Sequence, residues 1–95
     1  MNKNIILSFL KEHKNEFYKK YDITKIGLFG SYAKNEQKED SDIDILVDMP
    51  SSFDKYYSFR EFLENAFGKK IDLGLEGSMR KFIKNQIDQD IIYVK

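Results

Sequence analysis

Two aspartates two positions apart, Asp42 and Asp44, lie in the segment Asp-Ile-Asp-Ile-Leu-Val-Asp. The alternation of carboxylates with apolar residues predicts a β-strand. Because strand side chains alternate between faces, both carboxylates share one face, about 6.5–7 Å apart. Ile43, Ile45 and Val47 would then point into a core. Carboxylates held together repel unless a cation lies between them, and hard divalent cations prefer oxygen ligands. The pair therefore indicates a divalent-metal site.

A Gly-Ser pair, Gly30 and Ser31, follows an apolar run that predicts a strand over residues 23–29. The residues after the pair can begin a helix, with Ser31 near its N-cap. A helix start leaves backbone N–H groups unpaired, and these attract phosphate. Glycine lets a ligand approach the backbone closely, and the serine hydroxyl adds a hydrogen bond. This turn therefore suits a phosphate chain.

The arrangement of Gly30-Ser31, ten residues and then Asp42-Ile43-Asp44 resembles the signature of the polymerase-beta-type nucleotidyltransferase superfamily. In a chain of 95 residues it is similar to the minimal nucleotidyltransferases, the antitoxin partners of HEPN ribonuclease toxins. The resemblance spans nearly the whole chain and includes the later segment Lys70-Ile71-Asp72-Leu73. It implies an α/β (α+β) fold in which a small mixed β-sheet is packed with helices. Residues 1–95 would form one minimal nucleotidyltransferase domain.

The resemblance also implies a reaction, in which AMP passes from ATP to a tyrosine of a HEPN toxin and inactivates it. Asp42 and Asp44 would bridge two Mg²⁺ ions, or Mn²⁺ ions in their place, and Asp72 would be the third catalytic acidic residue. Gly30 and Ser31 would bind the β- and γ-phosphates. Without the upstream motif, Asp72 is typical of a solvent-facing strand carboxylate. The expected assembly is a hetero-oligomer of this chain with its toxin.

Two other functions stay open at the level of the sequence. One is a non-catalytic antitoxin that neutralises its partner by binding and occlusion, although three mutually repelling carboxylates argue against it. The other is a nucleotidyltransferase acting on a small hydroxylated molecule. Lys34 stands where the family usually has a basic residue, and a phosphate contact and a solvated surface position are equally compatible with it.

The composition excludes several other classes of function. Sixteen basic and sixteen acidic residues cancel, so no global field attracts nucleic acid. The absence of cysteine excludes disulfides and thiolate zinc sites. No signal peptide and no apolar run of membrane-spanning length is present, which predicts a cytoplasmic protein without membrane contact.

The remaining elements follow from periodicity and capping residues. An amphipathic helix is predicted over residues 2–20, with His13 at a surface position rather than as a catalytic base. A second helix is predicted over residues 53–67, capped by Ser52 and ended by Gly68. The other predicted elements are a strand over residues 69–75, a short helix beginning near residue 79 and a closing β segment over 91–94.

Overall fold

A four-stranded mixed sheet forms the frame of the protein, and the computed structural model describes residues 1–95 throughout. The strands are β1 (Lys25–Phe29), β2 (Ile43–Asp48), β3 (Ile71–Leu75) and β4 (Ile92–Tyr93). Strand β1 runs antiparallel to β2 and to β4, whereas β2 and β3 are parallel. The spatial order is β3-β2-β1-β4. The predicted α/β fold with a small mixed sheet is confirmed.

Five α-helices and one 3₁₀ helix surround the sheet. They are α1 (Lys3–Glu12), α2 (Lys14–Tyr21), α3 (Gly30–Ala33), α4 (Phe53–Phe67), the 3₁₀ helix Glu76–Ser78 and α5 (Lys81–Asp88). Helix α4 agrees with its prediction, since the Ser52 side chain accepts a hydrogen bond from the Lys55 N–H and Gly68 ends the helix at φ 65°. None of these helices combines the length and apolar character needed to cross a membrane.

The main core lies on one face of the sheet, where α1, α2 and α4 pack. Ile43, Ile45 and Val47 of β2 are buried there, as the alternation in the sequence predicts. Their burial holds Asp44, which lies between Ile43 and Ile45, on the opposite face, because successive side chains of a strand alternate between its two faces. The helical contributions to this core come from Ile6, Leu10, Phe17, Phe59, Leu63 and Phe67.

The opposite face of the sheet is partly covered as well, around Leu46, which is 1% exposed. Leu46 pairs with Gly27 on one side and Gly74 on the other. A Cβ at Gly27 would lie 2.8 Å from the Ile91 side chain, and one at Gly74 would lie 2.7 Å from Met79. The two glycines therefore make room for the segments before and after α5, which cover part of this face of the sheet.

His13 divides the N-terminal segment, so the predicted single helix over residues 2–20 is wrong. The His13 backbone leaves the helical conformation at φ −98° and ψ 5°. Its Nδ1 donates a hydrogen bond to the Phe9 carbonyl oxygen at 2.9 Å, in competition with the bonding of the helix itself. The ring stacks on Phe9 with centroids 4.2 Å apart. The predicted surface position is also wrong, because the ring is partly buried among aromatic side chains.

Candidate active site

Asp44 and Asp72 lie side by side on the parallel strands β2 and β3, where they are register partners. Neighbouring strands are about 4.8 Å apart, so the two carboxyl groups are close neighbours. The next register pair, Ile45 and Leu73, is buried in the main core. Because side chains alternate, this buried pair holds both aspartates on the other face of the sheet. The pairing of β2 with β3 thus brings Asp72 to the aspartate motif.

Negative charge accumulates around Asp44 without a basic partner. Burial is the largest cause that raises the pKa of Asp44 from 3.8 to about 6, and the neighbouring carboxyl groups of Asp72 and Asp42 raise it further. None of the seven ion pairs of the protein involves these three aspartates. The electrostatics of the site therefore favour a cation.

Asp42 occupies the position immediately before β2, one residue outside the strand that the sequence predicts from this residue onwards. It is exposed, and its charge still acts on Asp44. No three acidic, histidine or cysteine side chains surround a common point with metal-ligand spacing. Mg²⁺ is usually bound by one or two carboxylates together with substrate phosphates, rather than by a complete protein cage. The donor set of this site fits that mode of binding.

Gly30 begins α3 directly after β1 and lies against the carboxylate of Asp44. Its φ of +74° falls in the left-handed region, which glycine adopts without the steric cost of a side chain. A Cβ at Gly30 would overlap the carboxylate and lie 2.8 Å from Cγ of Asp44. Ser31 is the second residue of α3, two positions after the N-cap residue Phe29, so it lies near the start of the helix as predicted. The structure therefore brings the Gly-Ser turn and the carboxylates together.

Helix α3 is one turn long and ends in a defined cap. Asn35 adopts the left-handed conformation at φ 59°, and the Glu36 N–H donates to the Ser31 carbonyl oxygen at 2.9 Å. This is the Schellman arrangement that commonly ends helices. The Lys34 N–H donates to the Gly30 carbonyl oxygen at 3.3 Å. The cap therefore fixes the backbone of Lys34 one helical turn after Gly30.

A groove of about 190 Å³ adjoins Gly30 on the side of α5. The contribution of α5 to this groove is not evident from the sequence, because the residues of α5 have the ordinary pattern of a short amphipathic helix. A larger groove of about 420 Å³ lies between the start of α4 and β3 and contains none of the five predicted site residues. The smaller groove is lined by Phe29, Gly30, Lys34, Gln86, Ile87 and Asp90.

Known proteins match this chain over nearly its whole length. Residues 10–94 match the family model described as nucleotidyltransferase domain. The Methanocaldococcus jannaschii protein MJ0128, provisionally named a protein adenylyltransferase, is 41% identical over 92 residues, which covers 94% of each chain. Protein adenylyltransferase MntA of Thermococcus cleftensis is 38% identical over 91 residues, which covers 94% of this chain and 92% of MntA.

Two solved structures share the fold. One, provisionally described as a minimal nucleotidyltransferase, has a TM-score of 0.81 at 21% identity. The match covers 97% of this chain and 95% of that protein's chain. The other belongs to the complex of a tri-AMPylated Shewanella oneidensis HEPN toxin with an MNT antitoxin. It has a TM-score of 0.64 at 19% identity, and the match covers 94% of this chain and 71% of that protein's chain. This chain therefore belongs to the nucleotidyltransferase domain family and is an enzyme of the nucleotidyltransferase class.

Proposed function

We propose that this chain, with residues 1–95 as one domain, transfers AMP from ATP to a tyrosine of a partner HEPN ribonuclease toxin and so inactivates it. The observation that carries this proposal is the grouping of Asp44, Asp72 and Gly30 at one end of the sheet. The name protein adenylyltransferase of the Thermococcus relative supports the transferred group. The AMPylated HEPN toxin of the Shewanella complex supports the acceptor class.

The reaction replaces one phosphorus–oxygen bond with another. The tyrosine oxygen forms a bond to the α-phosphorus of ATP, while the bond from that phosphorus to the bridging oxygen breaks and pyrophosphate leaves. Asp42, Asp44 and Asp72 would hold two Mg²⁺ ions, which when bound activate the nucleophile and neutralise the leaving group. Gly30 and Ser31 would bind the β- and γ-phosphates through the backbone and the serine hydroxyl.

The position of Asp72 suits it to receive the proton of the tyrosine hydroxyl. Its side chain is exposed, whereas that of Asp44 is partly buried. An acceptor on the surface of a second protein therefore reaches Asp72 more readily. Once the proton has moved to the carboxylate, the tyrosine oxygen carries the charge that attacks phosphorus. A hetero-oligomer with the toxin would hold that tyrosine in place.

The test is the double variant Asp42→Asn/Asp44→Asn, produced together with its HEPN partner. Asparagine has nearly the size of aspartate, so the variant should fold and still bind the toxin. It should attach no AMP to the toxin, measured by mass spectrometry after incubation with labelled ATP. It should also fail to restore growth when the toxin is expressed.

The matched control is Asp40→Asn/Asp48→Asn, which removes the same charge from two exposed positions outside the site. This control should transfer AMP and protect cells as the unchanged chain does. Protein levels must be equal, because an excess of antitoxin could protect cells by binding alone. Full protection by the folded Asp42→Asn/Asp44→Asn variant would instead establish neutralisation by occlusion. Labelling of a small hydroxylated molecule in place of the toxin would establish the other alternative.

A further inference from the structure

We propose that Asp90 competes with the triphosphate of ATP for Lys34, and so lowers the affinity of the site for ATP and for the product pyrophosphate. The inference rests on the proposed function, because it assigns a role at the same nucleotide site. Asp90 would be a positioning residue that acts through Lys34 and does not touch the reacting atoms.

The observation is an ion pair inside the groove beside Gly30. The Lys34 Nζ lies 3.7 Å from the Asp90 Oδ2. Among the residues that line this groove, Lys34 is the only cation and Asp90 the only anion. Because Gly30 lines the same groove, a phosphate chain that extends from Gly30 towards α5 enters the reach of Lys34.

Both members of the pair are anchored by their backbones. Lys34 is held to Gly30 by the hydrogen bond that ends α3. The Asp90 N–H donates to the Ile87 carbonyl oxygen at 3.0 Å, in the turn that follows α5. The carboxylate therefore stays beside the groove when the flexible lysine side chain moves. Lys34 can leave Asp90 for a phosphate without any change of fold.

The pair is weak enough to be exchanged. The Lys34 side chain is 43% exposed and that of Asp90 is 42% exposed. Exposed ion pairs change an equilibrium by up to about fivefold, whereas a chain of phosphates carries several negative charges. The triphosphate of ATP would therefore displace Asp90 from Lys34. Because the ion pair must be broken, ATP would bind less tightly than it would without Asp90. After transfer, the return of Lys34 to Asp90 would favour release of pyrophosphate.

The test measures binding of Mg²⁺-pyrophosphate and Mg²⁺-ATP to the full chain by isothermal titration calorimetry. Asp90→Asn should tighten binding of both by up to about fivefold, because Lys34 no longer has a competing partner. Lys34→Gln should weaken both. In the Lys34→Gln background, Asp90→Asn should change the affinity by less than about twofold. A gain in affinity is a result that mere structural damage at Asp90 would not produce.

Two further variants serve as controls. Asp90→Glu keeps the charge and should bind like the unchanged chain. Asp88→Asn also removes one negative charge, at the last residue of α5. The Asp88 carboxylate accepts a hydrogen bond from Lys84 at 3.2 Å and lies outside the groove, so this variant should leave both affinities unchanged.

The outcomes separate this inference from the proposed function. Equal affinity of Asp90→Asn and the unchanged chain would overturn the inference alone. An equal gain with and without Lys34 would also overturn it, because simple repulsion by Asp90 would then explain the gain. An unchanged chain that binds neither ATP nor pyrophosphate would overturn the proposed function and this inference together.

Discussion

Asp44 and Asp72 are register partners on the parallel strands β2 and β3, so their carboxyl groups lie side by side on one face of the sheet. The raised pKa of Asp44, about 6, means that Asp44 keeps a proton in mildly acidic solution. A metal ion bound by the same oxygens would displace the proton. Protons and divalent cations therefore compete at this pair.

The first prediction concerns the stability of the metal-free protein as a function of pH. The pKa of Asp44 is 3.8 when unperturbed and about 6 in the fold, so the fold binds its proton more tightly. The resulting stabilisation is complete below pH 3.8 and is lost as the pH rises through about 6. The upper limit is about 3 kcal/mol, and partial exposure reduces it to roughly 1–2 kcal/mol.

Urea unfolding of the unchanged chain and of Asp44→Asn, from pH 4 to pH 7, measures this effect. The unchanged chain should lose stability relative to Asp44→Asn as the pH rises. The control Asp40→Asn, at an exposed loop position, keeps Asp44 and should therefore lose stability with rising pH in parallel with the unchanged chain. Parallel pH profiles for the unchanged chain and Asp44→Asn would contradict the coupling of Asp44 to its neighbours.

The second prediction concerns stabilisation by ligands. Mg²⁺ with ATP at a hundredfold excess over its Kd should add about 2.7 kcal/mol to the free energy of unfolding. For a domain of this size, that corresponds to a rise in Tm of roughly 10–20 °C. Asp44→Asn should lose most of the rise, measured by differential scanning calorimetry against NaCl of equal ionic strength. An undiminished rise in Asp44→Asn would show that the ligands bind elsewhere.

The third prediction compares two glycines that both have a positive φ. Gly30 has φ +74° and Gly68 has φ +65°, so alanine meets a similar backbone cost of about 1–2 kcal/mol at each. A Cβ at Gly68 meets no atom within 4 Å, whereas a Cβ at Gly30 overlaps Asp44. Gly30→Ala should therefore reduce AMP transfer by at least about 100-fold, as expected when a catalytic group is displaced. Gly68→Ala should lose stability and keep its activity. Similar activity of the two variants at a temperature where both are folded would refute the close approach of Gly30 to the site.

The fourth prediction concerns the free edge of β3. The Tyr56 hydroxyl donates to the Leu73 carbonyl oxygen at 2.7 Å, and the Ile71 N–H donates to Glu64 at 3.1 Å. Helix α4 thereby holds the strand that carries Asp72. Tyr56→Phe should cost about 1 kcal/mol in urea unfolding. Tyr57→Phe, at a side chain that is 54% exposed, should stay within about 0.5 kcal/mol of the unchanged chain. Equal effects of the two variants would remove the assigned role of Tyr56.

The local features of the protein follow from its sequence alone. The alternation around Asp44 predicted strand β2 and the face that its carboxylates occupy. Ser52 and Gly68 marked the ends of α4 correctly. These predictions hold because helix and strand periodicities, and the capping groups, act between residues that are close along the chain. The break at His13 was missed because it depends on a side-chain hydrogen bond and on aromatic packing, which periodicity does not report.

The assembly of the candidate site was decided by the tertiary structure. The sequence shows that Asp72 lies in a strand, but only the parallel pairing of β3 with β2 places it beside Asp44. Likewise, only the packing of the C-terminal segment brings Asp90 to Lys34. Both relationships join residues that are distant along the chain. They arise because the apolar faces of separate elements must be buried together, and that burial decides which polar residues become neighbours.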